Sequence, residues 1–168
     1  WLIMEFTFEL FPEYTLYLQL YINLTNSSEL RANVRNFECA FINPSLITSV
    51  KHILVAANRA ISGVKTNTKK TDSIYSDLVY YLSPSSNIRG TLSQFGIQDS
   101  STSIIIACFE PHTLHTMDSA IQGSKDSLDN LASFTNFKEI QSIFKISDSE
   151  LSIDHSFTNA VSSRIALK

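Results

Sequence analysis

Glycine and proline are scarce in this 168-residue chain, four of each. That excludes collagen-like, proline-rich and flexible-linker architectures and leaves few residues from which to build a glycine-rich phosphate loop. Cysteine is scarcer still. Cys39 and Cys108 each stand in an apolar setting and read as buried free thiols in a reducing compartment, not as a disulfide framework. No apolar run approaches the length of a membrane span, and the opening Trp1-Leu-Ile-Met is too short for the core of a signal peptide. The expectation is one soluble, intracellular domain over residues 1–168 without membrane contact, Met4 being a candidate native start.

Catalytic signatures are missing as well. There is no Gly-x-Ser-x-Gly elbow, no His-Glu-x-x-His, no kinase motif set and no dinucleotide fingerprint. The acids and bases that phosphoryl or acyl transfer needs have no assembled home, so a binding or regulatory module without a cofactor is expected rather than an enzyme. Cys108, His112 and His115, with Glu110 between them, have metal-like spacing. A structural zinc needs four ligands, and no second pair has matching spacing, so these read as a strand-end cysteine and two loop histidines. His52 and His155 stand alone on helical stretches and read as surface or packed side chains.

Carboxylates are absent from one long stretch. Between Cys39 and Thr71 there is no Asp or Glu, while Lys51, Arg59, Lys65, Lys69 and Lys70 supply five cations to a chain of net charge −3. Such a segment suits a local polyanion contact, with Lys65, Lys69 and Lys70 as candidate RNA-binding residues, or else a solvated helix face and loop.

What is present is a strand-rich front and a helix-rich end. Leu16, Leu18, Leu20, Ile22 and Leu24 alternate with Tyr17, Gln19 and Tyr21, the pattern of a strand with one buried face, and Glu5 to Leu10 pairs with it as a hairpin. Ala40 to Ile42 and Asp77 to Leu82 read as further strands, and Ser103 to Phe109, apolar at every interior position, as one covered on both faces or lying centrally. Apolar residues at three and four predict the longest helix over 45–65, with helices near 30–36, 113–122, 137–146 and 156–167. In Ser83-Pro-Ser-Ser-Asn-Ile-Arg-Gly the spacing of glycine fits no phosphate loop. Pro84 ends the preceding strand, a Ser or Asn87 caps a helix with Ile88, Leu92 and Phe95 on one stripe, and Gly96 closes it. The sum is an α+β fold: two layers, a mixed, mostly antiparallel sheet of four to five strands packed with helices.

Several segments, read together, resemble one family. Leu10-Phe-Pro-Glu, Ile42-Asn-Pro-Ser-Leu-Ile, Ile53-Leu-Val-Ala-Ala-Asn-Arg-Ala, Ser76-Asp-Leu-Val-Tyr-Tyr-Leu-Ser-Pro-Ser-Ser-Asn-Ile and Phe95-Gly-Ile occur in the order and spacing of the kinase-binding subunit of the KEOPS (EKC) complex, the TPRKB family. Ile121-Gln-Gly, Ile143-Phe-Lys-Ile and Ala160-Val-Ser-Ser-Arg-Ile extend the resemblance to about residue 166. It implies a non-catalytic subunit that docks on the small atypical kinase/ATPase of KEOPS and meets the remaining subunits indirectly. It also implies assistance in recruiting tRNA, through the 3′ CCA end, for threonylcarbamoyl modification of the adenosine beside the anticodon. Nuclear and cytoplasmic residence and links to telomere maintenance and transcription come with the resemblance. One departure concerns RNA: the family usually carries basic-Thr-Arg where this chain has Lys70-Thr71-Asp72, which replaces a bidentate phosphate donor by a carboxylate.

Two functions follow. The first is a kinase-regulating subunit whose terminal helix presents Phe157, Val161 and Ile165 to the partner, the alternative being that this stripe belongs to the chain's own core. The second is an accessory RNA-binding domain that contacts the tRNA 3′ end without regulating a kinase.

Overall fold

The computed structural model describes residues 2–154 and 157–168, with 152–154 as backbone only. Its strands are β1 (Met4–Thr7), β2 (Thr15–Ile22), β3 (Ala40–Ile42), β4 (Ile104–Cys108) and β5 (Ser124–Asp126). Its α-helices are α1 (Ser27–Ala32), α2 (Val50–Lys65), α3 (Ile74–Tyr81), α4 (Ile88–Phe95), α5 (Pro111–Ala120), α6 (Phe137–Phe144), α7 (Asp148–Asp154) and α8 (Phe157–Ala166). The strands form one sheet in the order β1-β2-β4-β3, with β5 also on β2, and every pairing is antiparallel. The α+β architecture read from the sequence is the one observed. No described helix is long and apolar enough to cross a membrane.

β2 organises the sheet. Leu16, Leu18 and Leu20 are fully buried on one face, each worth about 1.5–3 kcal/mol of burial, and a one-residue slip would replace them with Tyr17, Gln19 and Tyr21. The opposite face is covered too, contrary to the alternation. Gln19 and Tyr21 are buried beneath a second, smaller core that includes Leu30 of α1 and Leu114 and Met117 of α5. Gln19 is accommodated because its amide donates to the carbonyls of Leu20 and Asp126. Asn23, at φ 55°, ends the strand in the left-handed region, and Leu24 beyond it joins the second core rather than the leucine face.

The larger core lies between the leucine face and the helices, above all α2, α3, α6 and α8. Residues 77–82 are not a strand. Ser73 caps α3 by accepting the Ser76 N–H, and Asp77, Leu78, Val79, Tyr80 and Tyr81 are all buried, so a helix enclosed on nearly every side leaves no amphipathic period to read. α2 begins at Val50 rather than Ser45. Asn43 instead caps a short 3-10 turn, Pro44–Leu46, and the chain is extended at Ile47 and Ser49 before the helix starts. The β5 strand, the 3-10 segment Leu128–Ser133 and α7 were not anticipated, being short and polar.

Candidate functional site

An open groove of about 1090 Å3 runs along the end of the molecule where α1 and the turn after it face α3 and α4. Four cations line it, Arg31, Arg35, Lys70 and Arg89, against three carboxylates, Glu38, Asp72 and Asp99, so it is more positive than the chain as a whole. Between the charges lie half-buried aromatic rings, Phe37 and Tyr75. Phe37 leans on Phe41 with ring centroids 5.8 Å apart, and Tyr75 lies 5.8 Å from Phe109. Burial pushes the Tyr75 phenol up to about 12, so the ring is neutral. Arg31 is engaged with Asp99 at 3.2 Å. Half-buried aromatic rings among cations suit an extended, charged and planar ligand, the character of a single-stranded nucleic acid.

The basic loop between α2 and α3 forms one rim, and a buried carboxylate holds it. Asp77, fully buried, accepts hydrogen bonds from the Thr71 N–H at 2.7 Å, the Thr71 hydroxyl at 2.7 Å and the Lys70 N–H at 3.2 Å. At the start of the loop the Thr68 N–H is held by the Gly63 carbonyl at 2.7 Å. The structure divides the three lysines read as RNA contacts. Lys70 lines the groove; Lys69 is exposed beside it and donates to the Asp72 carbonyl at 3.4 Å. Lys65 instead sits at the end of α2 in an ion pair with Glu13 of the β1–β2 turn and over the Tyr14 ring. Of the other two cations in the acid-free stretch, Lys51 bonds Asn159 and Arg59 lies over the Tyr81 ring. The sequence reading missed Arg31, Arg35 and Arg89, which come from separate helices and turns and form no charge run.

The Ser-Pro-Ser-Ser-Asn turn is structural in its bonding. Ser83 accepts the Ser85 N–H, Ser85 accepts the Asn87 N–H and Asn87 caps α4 through the Gly90 N–H, so these donors are already engaged. Lys168 donates to the Ser83 carbonyl at 2.9 Å, and burial pushes its ammonium down to about 8.

Cys108, His112 and His115 do not converge. Cys108 is buried in β4 with its thiol pushed up to about 11 by burial, while His112 and His115 are exposed on α5. Among the described residues no three His, Cys, Asp or Glu side chains could hold a metal ion. His52 is packed, not exposed; His155 and Ser156 lie outside the described residues.

The proposed partner face of the terminal helix needs correction. Val161 and Ile165 are fully buried, with Ala160, in this chain's own larger core, because α8 packs on α2. Thr158 donates to Ser49 and Arg164 forms a bidentate pair with Glu150 at 2.7 Å, fixing that orientation. Phe157 alone of the three retains exposed surface, with its ring 5.1 Å from Phe137.

A family model described as kinase binding protein CGI-121 matches residues 21–168. The chain belongs to that family. It is 34% identical over 166 residues to the EKC/KEOPS complex subunit TPRKB of Danio rerio, covering 95% of this chain and 94% of that protein. It is 37% identical over 105 residues to the EKC/KEOPS complex subunit CGI121 of Kluyveromyces lactis, covering 62% of this chain and 67% of the relative. A third relative, the EKC/KEOPS complex subunit of Aspergillus fumigatus, is 35% identical over 94 residues, 54% of this chain and half of its own. The resemblance drawn from the collinear segments is therefore correct at the level of family.

Proposed function

We propose that this chain is a non-catalytic EKC/KEOPS subunit that binds and stimulates the complex's atypical kinase/ATPase and helps to present tRNA for threonylcarbamoyl modification beside the anticodon. Family membership supports the kinase contact. Since the inner face of α8 is occupied by the core, the docking surface is its outer rim, where Phe157 meets the exposed ring of Phe137 at one end and Leu167 projects, 89% exposed, at the other.

The observation that carries the RNA part is the groove, with Arg35, Lys70 and Arg89 around Phe37 and Tyr75. Stacking of a base on such a ring contributes about 1–3 kcal/mol, and each cation that meets a phosphate adds a salt-dependent term. Asp72 on the same rim works against it. Titration of tRNA with purified protein tests the reading. Arg35→Glu with Arg89→Glu is expected to weaken binding and to lower the slope of log affinity against log salt by about 1.4 for two lost single-strand phosphate contacts. Asp72→Arg is expected to strengthen it. Unchanged affinity and slope in both variants would remove the groove from the RNA path. Binding of tRNA by a chain that does not bind the kinase would favour the accessory RNA-binding domain.

A further inference from the structure

Asp77 is a fully buried carboxylate whose described hydrogen-bond donors all come from one two-residue stretch, Lys70 and Thr71. It stands in the first turn of α3, which is capped by Ser73 and packed against α2 and α4. The carboxylate is thus anchored to a rigid element, while the loop it holds is exposed at Thr68, Lys69, Lys70 and Asp72. An exposed loop of polar residues has no apolar burial to fix its path, so hydrogen bonds do so: the three to Asp77, with the Thr68 N–H on the Gly63 carbonyl and the Thr71 hydroxyl also 3.1 Å from the Ser73 carbonyl. Charge assistance makes them strong, and removing the charge leaves the Lys70 and Thr71 N–H groups short of an acceptor.

We propose that Asp77 is a positioning residue for nucleic-acid binding: it pins Lys70 and Thr71 at the mouth of the groove and thereby sets the affinity of that rim for RNA phosphates. This rests on the RNA reading of the groove. Asp77 is itself negative and buried, so its role is indirect. It fixes the backbone so that the Lys70 ammonium starts from one place at the rim instead of sampling many.

The test uses the full chain, a short fluorescent single-stranded RNA of mixed sequence, and amide exchange. Asp77→Asn keeps the shape but turns an acceptor pair into one acceptor and one donor. If the pinned loop falls to about a tenth of the population, apparent affinity falls about tenfold. The amides of Lys70 and Thr71 lose protection while those of β4 keep theirs. In a Lys69→Ala, Lys70→Ala background, Asp77→Asn has little further effect, because the cations it positions are gone. Should Asp77→Asn fail to fold, Thr71→Val removes the hydroxyl's bond to Asp77 together with its 3.1 Å contact to the Ser73 carbonyl, and Thr71→Ser restores both, so loss of affinity in the first and recovery in the second is the expected pair.

Unchanged protection of Lys70 and Thr71, or an equal loss of affinity in the lysine-less background, overturns the proposal. If the lysine variant weakens RNA binding but Asp77→Asn does not, positioning fails and the RNA reading stands. If the lysine variant binds RNA as the wild type does, the RNA role of this rim fails, whatever the loop does, and with it the proposal.

Discussion

His52 joins three elements through one ring. Its Nδ1 accepts the Thr48 N–H at 3.2 Å, its Nε2 donates to the Leu82 carbonyl at 2.8 Å, and its edge meets Phe144 with centroids 5.8 Å apart. It therefore ties the start of α2 to the end of α3 and to α6. Complete burial pushes the imidazole down to about 4, against the opposing pull of the Leu82 carbonyl. The unfolded chain takes up a proton near pH 6.5 that the folded chain refuses until about 4, so the stability tied to neutral His52 is intact above 6.5 and is lost as pH falls from 6.5 to about 4. The loss approaches about 1.4 kcal/mol per pH unit within that window. His52→Gln is expected to lower stability at neutral pH and to flatten this slope in urea denaturation; an unaltered slope would mean that His52 titrates normally in the fold. Of this site the sequence disclosed only a lone histidine on a helix, since both bonding partners are backbone groups and backbone groups leave no trace in the letters.

Covered elements are the ambiguous ones, since a short apolar run fits a buried strand and a buried helix alike. β3 and β4, covered on both faces, read as strands and are strands; β1, read over Glu5 to Leu10, is Met4–Thr7; and the cap of α4, which the sequence leaves between a serine and Asn87, is Asn87, in a turn that joins two helices. α3 was mistaken for a strand because its enclosure between α2, α4 and the sheet allows apolar residues all round. α8 failed differently: its apolar spacing was read correctly, but spacing does not say whether a stripe faces a partner or the chain's own core. The structure assigns Val161 and Ile165 to the core. Val161→Glu is accordingly expected to cost on the order of 3–5 kcal/mol, the range for an uncompensated buried charge, and to show as a large drop in melting temperature. Leu167→Glu, on an 89% exposed side chain, is expected to leave that temperature within a degree or two. A Val161→Glu chain that melts like the wild type would contradict the packing of α8 described here.

Across the whole molecule, charge and function part company with sequence order. The acid-free segment from Cys39 to Thr71 reads as one basic patch, yet folding sends its cations to different places: Lys65 to Glu13, Arg59 to Tyr81, Lys51 to Asn159 and Lys70 to the groove. The groove's remaining cations come from residues 31–35 and 89, and no linear scan groups them. Family was nonetheless legible, because the collinear segments combine core positions such as Ile53, Ala56 and Ala57 with turns such as Ser83 to Asn87, and both are fixed by the fold rather than by the site.

The kinase contact is the central claim, and reconstitution measures it most directly. The purified chain is mixed with the kinase subunit of the EKC/KEOPS complex from the same organism, and co-elution and ATP hydrolysis are followed. The chain alone is expected to hydrolyse no ATP, to co-elute with the kinase and to raise its turnover, and Phe157→Ala with Leu167→Glu is expected to abolish both effects with a drop in melting temperature much smaller than that of Val161→Glu, since Phe157 packs only partly against the core. A folded wild-type chain that neither co-elutes with that kinase nor alters its turnover would contradict the account.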